Sequence, residues 1–161
     1  MILLVMGVTG AGKTTVGRLL AQRLAWLFLD ADAFHPPDNV EKMKRGVSLT
    51  DGDREPWLAA IRVELLNCAT KGQDAVLACS ALKQSYREKL ASGLDLRICY
   101  LKGTYDEMKT HLESRIGHFA GEAILAGQFS DLEEPSDVVV LQAGRPPEEI
   151  VGEALGKLGL A

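Results

Sequence analysis

Residues 1–17 read MILLVMGVTGAGKTTVG: a short apolar run, then a glycine-rich turn, then the start of a polar segment. Ile2 to Met6 has the length of a strand and is apolar throughout, as expected for a parallel strand covered on both faces. Gly7-Val8-Thr9-Gly10-Ala11-Gly12-Lys13-Thr14 then fits GxxxxGK[ST] in full. Glycines at these positions let backbone N–H groups turn inward around phosphate oxygens. In this motif the lysine reaches the β and γ phosphates and the hydroxyl after it ligates Mg²⁺. A helix beginning at the motif adds its positive N-terminal end to the same anion site. Gly7, Thr9, Gly10, Ala11, Gly12, Lys13, Thr14 and Thr15 are therefore candidate nucleotide-binding residues, and Thr14 a candidate metal ligand. The motif specifies a nucleotide and leaves the acceptor open.

Outward from this loop, apolar runs of strand length recur at Trp26–Leu29, Ala75–Cys79, Leu96–Leu101 and Val138–Leu141. Segments with helical spacing lie between them. Val16, Leu19, Leu20 and Leu24 form one stripe, and Trp57, Leu58, Ile61, Leu65 and Leu66 another. A last helix opens at Pro146-Pro147 with Glu148 and Glu149 in its first turn, where acids suit the helix dipole. Ile150, Val151, Ala154, Leu155 and Leu158 supply its apolar face. Alternating strand and helix imply an α/β fold with a parallel sheet, whose ligands bind at the carboxyl ends of the strands. No linker or repeat divides the 161 residues, so a single domain over 1–161 is expected.

DADAFHPPDN, residues 30–39, follows the second strand. Alternate residues of an extended chain point the same way, so Asp30 and Asp32 can both face the phosphate loop. Phosphoryl transfer needs anionic oxygens to hold magnesium and a group to orient or deprotonate the attacking hydroxyl. Asp30 is assigned to the metal and its waters, Asp32 to the acceptor hydroxyl; Asp38 reads as a helix cap. In TDGDREPWL, residues 50–58, Asp53 reads as the cap of a helix opened by Pro56, while Arg54 offers a planar fork suited to a carboxylate or phosphate. In ACSALKQSYREKL, residues 78–90, Ser80 can cap the next helix. Lys83 and Arg87 then share one helical face near its N-terminus, a place for cations that meet an anion. Residues 114–135, SRIGHFAGEAILAGQFSDLEEP, have the glycines of a mobile cover. Arg115 at its base can reach the transferring phosphoryl group, and His118 and Gln128 can bond hydroxyls.

The bulk numbers limit the partners. Net charge is −4 and no basic run appears, which argues against nucleic acid. MILLVMG is too short for a membrane span and has no basic flank, so no membrane association is expected. Three cysteines without a CxxC pair indicate neither a disulfide framework nor a zinc site; they read as small buried hydrophobes in a reducing cytoplasm.

GVTGAGKTTVG, DADAFHPPDNVEKMKRGVSLTDGDREPWL, VLACSALKQSYREKL, YLKG, and GHF followed by QFSDLEEP together resemble the gluconate kinase (gluconokinase) family of P-loop small-molecule kinases, over nearly the whole chain. The phosphate loop is generic; DADxxHPxxN with DxDRxPWL and ACSALKxxYR are the specific elements. The resemblance implies a nucleoside-monophosphate-kinase-like (shikimate-kinase-like) fold with a five-stranded parallel sheet. It implies a substrate-binding helical segment at about 35–71 and a lid at about 115–135. It also implies an ATP- and Mg²⁺-dependent phosphorylation of D-gluconate to 6-phosphogluconate, in a homodimer. By this analogy Lys13, Asp32 and Arg115 are catalytic, Asp32 and Arg54 hold substrate, and His35, Ser80, Lys83, Arg87, His118 and Gln128 stand near the sugar acid. The chain departs from the family's RLxxRxGHF, where its first arginine is His111, and from the bulky residue after GHF, here Ala120-Gly121. Two other readings remain open at this point: a kinase for another small hydroxy acid such as shikimate, and a catalytically weak nucleotide-binding regulator.

Overall fold

In the computed structural model, which describes residues 1–114 and 119–160, strand β1 (Ile2–Met6) lies at the middle of a five-stranded parallel sheet. β2 (Leu27–Asp30), β3 (Ala75–Ala78), β4 (Leu96–Lys102) and β5 (Val139–Gln142) complete it in the order β2-β3-β1-β4-β5. Every residue of β1 and β3 is buried, which explains their unbroken apolar runs. The outer strands carry the exposed positions Leu27 and Val140. Register sets Val5 beside both Ala78 and Cys99, and Asp30 beside Ala78. The carboxyl ends of β1, β2 and β3 thus form one ledge.

Side chains alternate across β1, and each face has its own core. Leu3 and Val5 meet α1 (Lys13–Leu24) through Val16 and Leu20, α5 (Tyr105–Glu113) through Met108, and α7 (Pro147–Leu158) through Ile150, Val151 and Leu155. Ile2, Leu4 and Met6 meet α3 (Asp51–Thr70) through Trp57, Leu58, Ile61 and Leu65, and α4 (Gln84–Ala91) through Tyr86 and Leu90. A short 3-10 turn (Ala31–Phe34) and α2 (Pro37–Lys44) lead from β2 into α3, and α6 (Phe119–Asp131) precedes β5. The helices α2 and α3 fall in the segment 35–71.

Several local expectations shift. α3 begins at Asp51, and Pro56 sits inside it. Its start is fixed by a capping box: Asp53 N–H donates to Thr50 Oγ1 (3.1 Å) and Thr50 N–H to Asp53 Oδ2 (2.9 Å). Lys42 also donates to Asp53 Oδ2, and these bonds hold the carboxyl down at about 2. Pro56 then removes one intrahelical bond near the helix start. In the stripe of α3, Leu66 is 41% exposed and Cys68 takes the buried place. Asp38 lies in the first turn of α2, whose cap position is Pro36, and Ser80 caps nothing because α4 starts at Gln84 after Lys83. All three cysteines are free and buried, and burial pushes the thiols of Cys79 and Cys99 up to about 12. Among the described residues no helix is long and apolar enough to cross a membrane.

Candidate active site

The phosphate loop turns directly off β1. Gly7 has φ +151°, and a Cβ there would stand 2.8 Å from the Leu101 carbonyl oxygen, so only glycine lets the loop pass β4. Gly12, the residue before α1, has φ +93° with open space around it; backbone conformation alone demands glycine there. No side chain caps α1, so its first-turn amides face the loop's concavity. Lys13 Nζ lies 3.0 Å from the Val8 carbonyl oxygen, folded over the loop.

Asp30 is joined to the loop. Thr14 Oγ1 donates to Asp30 Oδ2 (3.2 Å), and Asp32 N–H donates to Asp30 Oδ1 (3.0 Å). The second bond closes the 3-10 turn and leaves the Asp32 side chain projecting. A phosphate-sized pocket of about 110 Å³ is bounded by Thr9, Gly10, Gly12, Thr14, Thr15 and the two acids. A second cavity of about 300 Å³ lies beside it. Thr9, Lys13 and Asp32 border both. On the far side of Gly10, an open groove of about 410 Å³ runs between Thr110, His111, Gln142 and Arg145; His111 Nδ1 lies 3.0 Å from the Gly10 carbonyl oxygen.

The cavity of about 300 Å³, the larger of the two that share a border, has one apolar wall, from Val40, Met43, Leu49 and Ile124, and one polar wall. His35 stacks on Trp57 with ring centroids 4.4 Å apart. Trp57 is pinned by its indole N–H to the Ala31 carbonyl oxygen (2.7 Å). The amide nitrogen of Asn39 donates to the Asp53 carbonyl oxygen (2.8 Å) and lies 3.4 Å from His35 Nδ1. That places an acceptor at Nδ1 and the proton on Nε2. Burial lowers the His35 pKa, with Asp32 opposing and Arg54 adding to the shift, so the ring is neutral at neutral pH.

Arg54 is only 7% exposed. Its Nη1 donates to Tyr86 Oη (3.0 Å) and its Nη2 to Asp131 Oδ2 (2.9 Å). Burial opposes its charge, yet Tyr86 and Asp131 hold the guanidinium more firmly protonated than usual. Ser80 borders the cavity at the end of β3. Gln128 does so from α6, where its Oε1 accepts the Thr9 N–H (2.7 Å).

Two expected sugar-acid contacts sit elsewhere. Lys83, at the cap of α4, pairs with Asp51 (2.9 Å), which also accepts from Tyr86 Oη. Arg87 is 3% exposed and spends its donors on the carbonyl oxygens of Ala81 (2.8 Å), Leu82 (3.0 Å) and Glu133 (2.9 Å) and on Gln84 Oε1 (3.0 Å). Ala81 has φ +45°, an unusual value for a residue with a side chain. Arg87 therefore clamps the loop that carries Ser80, and neither cation borders the cavity. Arg115 and His118 lie outside the described residues.

Sequence reading passed over Asn39, Trp57, Tyr86 and Asp131. A signal existed for two of them: Trp57 is three residues after Arg54 in α3, and Asp131 three after Gln128 in α6, both helical neighbours.

The shikimate kinase family profile matches residues 9–158. A gluconokinase of Gluconobacter oxydans is 45% identical over 156 residues, covering 95% of this chain and 88% of its own length. Among solved structures, a gluconokinase from Sinorhizobium meliloti superposes with a TM-score of 0.88 at 40% identity, covering 98% of this chain and 90% of that one. A shikimate kinase from Aquifex aeolicus superposes with a TM-score of 0.60 at 18% identity, covering 99% of this chain and 96% of that one, a likeness of fold alone.

Proposed function

The chain belongs to the gluconokinases within the shikimate kinase family, and from that premise we propose that it transfers the γ-phosphoryl group of ATP to the C6 hydroxyl of D-gluconate, giving 6-phospho-D-gluconate and ADP. The observation that carries this reading is the shared border: Thr9, Lys13 and Asp32 belong at once to the phosphate pocket and to the larger cavity. An acceptor hydroxyl in that cavity and a γ-phosphate in the loop meet at those three residues.

We assign the roles on these grounds. The acceptor oxygen forms a bond to the γ-phosphorus as the bond to the β–γ bridging oxygen breaks, and Asp32 accepts the hydroxyl proton. Lys13 and the loop amides offset charge on the transferring group. Arg54 receives the gluconate carboxylate, with neutral His35, Ser80 and Gln128 as partners for the hydroxyl chain. Lys83 and Arg87 act at one remove, by fixing Asp51 and the Ser80 loop. Arg115 and His118 are assigned to the cover over the site. The groove beside His111 receives the nucleoside.

Mg²⁺ fits the donors present. Among the described residues no three His, Cys, Asp or Glu side chains could hold a metal by themselves. The Thr14 hydroxyl and the Asp30 carboxylate, 3.2 Å apart beside the loop, are hard oxygen donors that suit a magnesium ion otherwise held by phosphate and water. Bound there, the ion would supply charge neutralisation to the nucleotide's phosphates. A homodimer in the cytoplasm completes the reading, and sedimentation equilibrium checks the assembly.

The test is ADP release with ATP, Mg²⁺ and D-gluconate, beside matched reactions with shikimate, glucose, glycerate and no acceptor. Turnover with gluconate alone is expected. Equal ADP release in every reaction would overturn the acceptor assignment.

A further inference from the structure

α6 sends two side chains from one face to two different parts of the site. Gln128 accepts from the phosphate-loop amide of Thr9 (2.7 Å), and Asp131, three residues on, accepts from Arg54 Nη2 (2.9 Å). Arg54 borders the cavity of about 300 Å³ yet is nearly withdrawn from water, and its Nη2 already carries the carboxylate of Asp131, a residue just outside the cavity's lining. A buried guanidinium without a counter-charge is strongly disfavoured, so some anion must stand there at all times.

We propose that Asp131 is a specificity-determining residue: it occupies Arg54 until the acceptor's carboxylate takes its place. The inference rests on the gluconate reading above. Asp131 is 26% exposed and stands at the end of α6, so it can turn to solvent when displaced, whereas Tyr86, buried in the core beneath α3 and α4, stays. An acceptor with a carboxylate exchanges one ion pair for another. An uncharged polyol of the same length has only a hydroxyl to offer and leaves the Arg54–Asp131 pair closed. Asp131 thereby weakens binding of the true acceptor somewhat and excludes its neutral analogues, discrimination by a competing contact rather than by an added one.

The opposing possibility is that Asp131 only orients Arg54. The two give opposite signs in one experiment, the gluconate KM of Asp131→Asn with the ATP KM as internal reference. Release of the competitor should lower the gluconate KM by about tenfold, the scale of one charge-assisted hydrogen bond, with the ATP KM unchanged. Asp131→Glu, which keeps the charge, should restore a KM near wild type, and Asp131→Ser should move it in the same direction as Asn. A higher or unchanged gluconate KM in both neutral variants would overturn the inference while wild-type turnover on gluconate stands. Wild-type protein without gluconate-dependent ADP release would overturn the acceptor reading, and this inference with it.

Discussion

Asp32 is the side chain to which the proposed reaction assigns the hydroxyl proton. It is exposed at the border of two cavities, and its own backbone N–H is tied to Asp30. Asp32→Asn should lower kcat by roughly two to four orders of magnitude, the range for loss of a general base, while ATP binding survives. Near-normal turnover would remove Asp32 from that role. His35 gives a prediction in pH. Its folded pKa lies below the ordinary value of 6.5 because burial disfavours the charged ring. The unfolded chain therefore binds the proton first as pH falls, and the stability that a neutral His35 contributes is present above about 6.5 and lost below it. Thermal midpoints should fall more steeply between pH 7.5 and pH 5.5 for wild type than for His35→Gln; parallel curves would contradict this. At this scale the acids were readable as a pair closing β2, but the alternation expected of an extended chain does not direct them: Asp32 lies in the 3-10 turn, tied back to Asp30 through its own N–H. Arg87 was not, since one of the four acceptors that claim it belongs to Glu133, 46 positions away, and two others are carbonyl oxygens of an irregular loop. Charge and helical spacing announce a cation and say nothing of which carbonyls will claim it.

The elements were legible where periodicity alone decides and less so where caps compete with proline. Each of the five strands begins and ends within one residue of its apolar run; β1 and β3 are buried throughout, while the edge strands β2 and β5 keep the apolar run despite partial exposure. The start of α3 was misplaced by five residues, from Asp51 to Pro56. Proline at a first turn is the louder local signal, but the reciprocal bonds of Thr50 and Asp53 satisfy two backbone donors and win. Thr50→Ala should therefore cost about 1 kcal/mol in urea unfolding, the usual value of a lost cap. Since α3 also positions Arg54 and Trp57, the gluconate KM should rise in the same variant. No change in either would mean that packing of Ile61 and Leu65 alone sets the helix.

For the molecule as a whole, the alternation of strand and helix was enough to imply a parallel sheet and to place the ligands at its carboxyl edge. The order β2-β3-β1-β4-β5 explains why residues distant in sequence share that edge: the phosphate loop leaves β1, the acids leave β2 and Ser80 leaves β3, three neighbouring strands. The contribution of α6 was harder to foresee. Gln128 was chosen for its polarity, but its bond to Thr9 depends on a tertiary contact spanning 119 positions, which no local pattern encodes. The buried thiols bear on how such a contact could be watched. Since Cys68, Cys79 and Cys99 are all sealed in the core, the folded protein offers a labelling reagent no natural target. A single cysteine introduced at exposed Ser130, on the helix between Gln128 and Asp131, could carry one dye with the natural three left in place. The protein is in effect already prepared for site-specific spectroscopy of the helix that carries both Gln128 and Asp131.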